Sequence, residues 1–268
     1  MTGSNAPLPP ETAERNGRRL TFYDLSDCLS NATSEFEFNK HQIVYIPPEQ
    51  TVDGFGLGAS FWPDGVALQA ETVTLSTHSG THVDAPAHYG PSASGETMTI
   101  DQVPLSWCYG PGVLLDARGL DRVQGITSGH VESELERIGH ELAPGDIVLV
   151  MTGTDLRRPG YENTHAGLRR DATEYLVDRG VRMIGIDAWT VDRAVDVMVE
   201  EAKAGTLPQA FESHMLGREK PYLQIERLAN LDQLPHPTGF TVAAFPFKLE
   251  GASASWARVV AIADAAES

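Results

Sequence analysis

Cysteine is scarce in this chain. Cys28 and Cys108 are the only two in 268 residues, and neither belongs to a C-x-x-C pair. That excludes a disulfide framework, an iron–sulfur cluster and a thiolate zinc site. Basic residues are also few, 20 Lys and Arg against 37 Asp and Glu, for a formal net charge of −17 and a pI near 4.8. A surface of that sign repels phosphate backbones and anionic lipid, so neither nucleic acid nor membrane is expected as a partner. No apolar run approaches the roughly 18 residues of a membrane span, and no signal-peptide pattern opens the chain. A cytoplasmic location is expected. There is no Gly-x-Ser-x-Gly nucleophile elbow.

What remains is the composition of a globular enzyme, 41% hydrophobic and 21% charged. Residues 1–17 are polar and proline-rich and read as a loosely held arm, leaving residues 18–268 as one compact domain. Apolar runs at Val113–Asp116, Ile147–Met151, Met183–Asp187, Phe240–Phe247 and Arg258–Ala263 predict buried strands. Between them, Val131, Leu135 and Ile138 have helical spacing, with Thr127 or Ser128 as cap. Leu168, Ala172, Tyr175 and Leu176 repeat that spacing before Gly180, as do Val195, Met198, Val199 and Ala202 before Gly205. Strands interleaved with helices indicate an α/β protein. The alternation in Glu71–Ser76 predicts a further strand, one face buried and the other lining a cavity.

The richest chemistry lies in His78-Ser-Gly-Thr-His82-Val-Asp84-Ala-Pro-Ala-His88. Three imidazoles and a carboxylate occupy even positions, which share a face in extended backbone. His82 and Asp84 would stand roughly 7 Å apart along a strand, within reach of one ion at bond lengths of about 2 Å. A straight strand from His78 to His88 would run roughly 33 Å, so bends are needed, and Gly80 and Pro86 supply them. With cysteine unavailable, a His and carboxylate donor set suits Zn²⁺ or Mn²⁺. Farther on, Glu226 interrupts the apolar run Tyr222–Leu228, where a carboxylate needs a metal or a salt bridge. His214 ends a short amphipathic stretch. Local sequence leaves both of those residues open.

The eleven-residue motif resembles the H-x-G-T-H-x-D-x-P-x-H signature of the metal-dependent cyclase family. That family includes bacterial kynurenine formamidases, isatin hydrolases and aromatic polyketide cyclases. The similarity continues through Pro144–Val150, Thr152-Gly153, Gly185-Ile-Asp187, His214 with Glu226, Asn230-Leu231, Phe245-Pro246 and Arg258-Val259, covering about residues 20–263. The resemblance implies a mixed β-sheet or barrel-like core flanked by helices, of the swivelling β/β/α type. It implies that His78, His82 and Asp84 hold a first ion, and that Asp84 can bridge to a second held by His88, His214 and Glu226. With a single ion, His88 would instead act as acid/base. It also implies a homo-oligomer, dimer or tetramer.

The expected substrate is a small aromatic carbonyl compound, contacted by Trp62, Tyr89 and Trp189. Asp187, at the end of an apolar strand, is expected either to orient a ligand histidine from behind or to cap a helix. Ring closure of an aromatic or polyketide carbonyl compound by aldol chemistry is the leading expectation, and hydrolysis of an N-formyl or cyclic amide is the alternative. The donors are common to both.

Overall fold

Strands that are apolar at every position are stable only where both faces of a sheet are covered, and the centre of this fold is built that way. The computed structural model describes residues 8–54, 56–95 and 97–265. Its strands are β1 (Glu11–Arg15), β2 (Arg18–Asp24), β3 (Gln42–Ile46), β4 (Ala70–Thr74), β5 (His82–Asp84) and β6 (Tyr109–Asp116). There follow β7 (Ile147–Met151), β8 (Met183–Ile186), β9 (Leu223–Glu226), β10 (Phe240–Ala243), β11 (Ala254–Trp256) and β12 (Val260–Asp264). The helices are α1 (Ser128–Ile138), α2 (Arg170–Asp178), α3 (Val195–Ala204) and α4 (Glu212–Leu216).

Ten strands form one mixed sheet in the order β1-β2-β12-β10-β6-β7-β8-β9-β5-β11. The parallel strands β6 to β9 form its middle, with antiparallel strands on both sides. Ser26 and Leu228 pair across, tying the chain beyond β2 to the chain beyond β9. Alternate residues of one strand feed two cores. Ile147 and Leu149 pack with Met183, Ile225 and Val242, while Val148 and Val150 pack with Val131, Leu135, Ala172 and Leu176 from α1 and α2.

The helix boundaries follow the caps. Thr127 accepts from the His130 N–H and starts α1, and Gly139 ends it in the left-handed region at φ 67°. Gly205 closes α3 in the same way, at φ 69°.

Three segments differ from the sequence expectation. Residues 11–15, placed in a loose arm, form β1 and pair with β2 from Glu11↔Phe22 to Arg15↔Arg18; residues 1–7 of that arm lie outside the described residues. The strand leading into the motif, β4, buries neither face. Among the described residues it pairs only with β3, in a two-stranded ribbon, and it is exposed along its whole length. The Phe240–Phe247 strand ends at Ala243, and Pro246, which has no N–H for a ladder, makes only an isolated bridge to Ala257.

Candidate metal centre

Two adjacent strands carry the first donors. In β5, His82 and Asp84 are two residues apart and project to one side, and register places His82 directly opposite Glu226 of β9. His78 reaches the same point from a turn. There Gly80 has φ 63°, and a Cβ at that position would sit 2.9 Å from the Leu29 side chain. His88 arrives from the other end on a 3₁₀ turn, Pro86–Tyr89, that begins at Pro86. The strand is therefore three residues long, and its two bends gather what a straight strand would have kept apart.

The donors converge closely. His78 Nδ1 lies 2.8 Å from Asp84 Oδ1, and His82 Nε2 lies 3.4 Å from the same oxygen. Glu226 Oε2 is 3.6 Å from His82 Nε2, and its Oε1 is 3.8 Å from His214 Nε2. Two groups of three, His78/His82/Asp84 and Asp84/His88/His214, each have donor atoms within 4.8 Å of one another, and Asp84 belongs to both.

His82 Nε2 and Asp84 Oδ2 are buried without a hydrogen-bond partner among the described residues, and Asp84 Oδ1 meets only the His78 and His82 ring nitrogens. Such atoms are costly in a protein interior unless a cation sits among them. His82 Nδ1 lies 2.8 Å from the Gly80 carbonyl oxygen, so that nitrogen carries the proton and Nε2 offers a lone pair to the centre. The donor set fits a divalent ion.

Electrostatics point the same way. Burial drives Asp84 toward neutrality, but the neighbouring imidazoles outweigh it and hold the carboxyl well below its usual range. Burial likewise pushes His82 down, yet Asp84 and Glu226 carry it up to about 9. Burial and the Asp84 charge raise Glu226 to about 7. His88 opens onto the cavity and is partly enclosed by its walls. That partial burial, with the neighbouring imidazoles, lowers it to about 4 against the pull of Asp84.

Asp192 holds His214 in place. Its Oδ2 lies 2.5 Å from His214 Nδ1, and its two oxygens accept from the backbone N–H groups of Ser213 and His214. Burial opposes the charge on His214, but Asp192 outweighs it and raises the ring to about 9. A carboxylate behind a ligand histidine is the partner expected of a metal centre. The sequence reading assigned that role to Asp187. Asp187 instead accepts from the Thr152 N–H and hydroxyl and the Gly153 N–H, at 2.7, 2.7 and 2.9 Å, and lines a different cavity. Asp192 lies in an irregular loop with no pattern to mark it.

A cavity of about 360 Å³ opens over the donors, lined by His78, His88, His214 and Glu226 together with Trp189, Phe211, Met215 and Phe38. Of the three expected aromatic contacts, Trp189 is there. Tyr89 is buried, its ring nearly perpendicular to that of His214 with centroids 5.4 Å apart and its hydroxyl donating to the Tyr222 carbonyl. Trp62 donates its indole N–H to the Val52 carbonyl and does not line this cavity. Phe211, which precedes α4 in a left-handed conformation, was not anticipated.

The family profile described as "Putative cyclase" matches residues 23–193. This chain belongs to the cyclase family. Among its relatives is a kynurenine formamidase of Paracidovorax citrulli, 29% identical over 198 residues, which are 72% of this chain and 79% of that protein. The kynurenine formamidase of Maricaulis maris is 33% identical over 134 residues, half of this chain and 57% of that one. Among solved structures, isatin hydrolase A from Ralstonia solanacearum superposes with a TM-score of 0.71 at 25% identity, covering 91% of this chain and 92% of that one. An isatin hydrolase bound to the product analogue thioisatinate gives a TM-score of 0.72 at 23% identity, covering 92% and 93%. The cyclase-family fold is thus spanned almost end to end. No helix among the described residues is long and apolar enough to cross a membrane.

Proposed function

We propose that this cyclase-family protein is a metal-dependent hydrolase of the C–N bond in a linear or cyclic aromatic amide. The observation that carries the reading is Asp84, a fully buried carboxylate shared by two groups of donors under an aromatic-lined cavity. The ring-closing reaction favoured by the sequence reading uses the same donors. The relatives described above, however, are named for hydrolysis, and that alternative moves to first place.

His78, His82 and Asp84 would hold the first ion, Zn²⁺ or Mn²⁺, and Asp84, His88 and His214, with Glu226 beside them, would hold a second. An ion so held polarises a carbonyl oxygen and lowers the pKa of water. The remaining steps fall to the chain. Trp189, Phe211 and Met215 give the aromatic ring an apolar wall, which orients the amide carbonyl toward the donors. With only the first ion bound, His88 keeps a free imidazole, lowered to about 4 and so neutral at pH 7, that can accept a proton. It takes one from water and passes it to the departing nitrogen. Water is thereby divided, hydroxyl to the acyl carbon and hydrogen to the amine.

A homo-oligomer, dimer or tetramer, belongs to this proposal. Tyr45, Phe61 and Val73 in and around the β3–β4 ribbon are large apolar side chains left exposed in a single copy, which supports it. The decisive experiment incubates metal-loaded protein with N-formylkynurenine and with isatin while ultraviolet absorbance is followed. Metal-dependent hydrolysis of either is expected. Turnover of neither, with activity on a poly-β-ketone instead, would return ring closure to first place.

A further inference from the structure

Arg227 directly follows the candidate ligand Glu226, yet its backbone has φ 59°, a left-handed conformation that an arginine adopts only under constraint. Its side chain is almost wholly buried, at 1% exposure, and its Nε has no hydrogen-bond partner among the described residues. A guanidinium withdrawn from water is costly unless carboxylates meet it. Two do. Asp27 Oδ2 lies 3.2 Å from Nη2, and Glu37 Oε1 forms an ion pair with Nη1.

Both carboxylates belong to the connection between β2 and β3, one near its start and the other near its end. The anchoring is mutual. The Asp27 N–H donates to Thr81 Oγ1 at 2.7 Å, and the Thr81 hydroxyl donates to the Arg227 carbonyl at 2.6 Å. Glu37 Oε1 also accepts from the Gly80 N–H at 3.0 Å, within the metal motif itself. The next two residues, Phe38 and Asn39, line the cavity with Glu37. Phe38 is 85% exposed, so burial of its ring does not hold residues 37–39 in place.

We propose that Arg227 is a positioning residue that bridges Asp27 and Glu37 and so fixes residues 28–41, with Glu37, Phe38 and Asn39 preformed as one wall of the metal-site cavity. A planar guanidinium can meet two carboxylates at once, which a lysine ammonium does less well. The consequence for substrate binding rests on the cavity being the hydrolytic site proposed above; the anchoring itself does not.

The test compares hydrogen exchange in wild type, Arg227→Gln, Arg227→Lys and Glu37→Gln, each as metal-loaded full chain with its metal content measured. Exchange within residues 28–41 is expected to quicken about tenfold in Arg227→Gln and Glu37→Gln, less in Arg227→Lys, with β7 and α1 unchanged. On whichever amide the wild type hydrolyses, KM should rise about fivefold while kcat stays within about twofold. Unaltered protection of residues 28–41 would overturn the proposal. So would faster exchange across the whole chain, or a loosened segment with KM unmoved. Should Arg227→Gln fail to fold, Glu37→Gln decides alone. If wild type hydrolyses neither isatin nor N-formylkynurenine, the proposed reaction falls and exchange alone judges Arg227.

Discussion

His82 and Glu226 stand directly opposite each other on neighbouring antiparallel strands, with Nε2 and Oε2 3.6 Å apart. The pairing brings a second carboxylate beside Asp84, and burial together with that like charge raises Glu226 to about 7. A carboxyl whose folded pKa lies above its unfolded value loses stability as pH rises through that window. In metal-free protein at pH 8, Glu226→Gln should therefore raise the melting temperature, by roughly a few degrees. The same substitution should weaken metal binding, because a charged donor is gone. Calorimetry with and without chelator checks both signs; a variant less stable than wild type when metal-free would contradict the repulsion.

His88 is exposed to the cavity, whereas His82 and Asp84 are buried at its floor. His88→Ala should keep the ion at His78, His82 and Asp84 while kcat falls about 100-fold or more. Elemental analysis beside steady-state kinetics separates the two effects. Loss of all bound metal would make His88 an indispensable ligand and remove it as proton carrier.

Asp192→Asn should leave the chain folded, since an amide oxygen can still accept from the Ser213 N–H. It withdraws the charge that orients His214. Affinity at the second position should fall about 10- to 100-fold, read by titration calorimetry with Zn²⁺ or Mn²⁺. Unchanged affinity would show that packing alone positions the ring.

Metal loading should depend on pH with a defined sign. His82 and His214, raised to about 9 in the metal-free site, bind protons that an ion must displace. Affinity should climb from pH 6 to pH 9, by about tenfold per unit for each proton released, and level off above that. Competition with a chelator of known affinity gives the slope. A flat profile would mean these rings are not ligands.

Much of this was legible along the chain. The spacing of His78, His82, Asp84 and His88, with Gly80 and Pro86 as bends, points to side chains that the fold brings together, and the apolar runs mark β6, β7 and β8. Local pattern was weaker where structure depends on what packs alongside. The alternation in β4 resembled a half-buried strand, but whether a layer covers it is a tertiary matter. Tyr89 and Trp62 sit close to the motif or to an aromatic cluster in sequence, yet of the three expected aromatics Trp189 alone lines the cavity.

The chain's own order determined which donors exist and that they could meet, because steric limits on a bend at Gly80 and the two-residue period of a strand act over a few bonds. Only the folded molecule decided that Glu226 faces His82, that Asp192 rather than Asp187 grips His214, and that Asp27 and Glu37 meet on Arg227. Those partners are 144, 22 and up to 200 residues apart. Their meeting is set by sheet register and by the cost of burying an unpaired charge, neither of which a local stretch of sequence encodes.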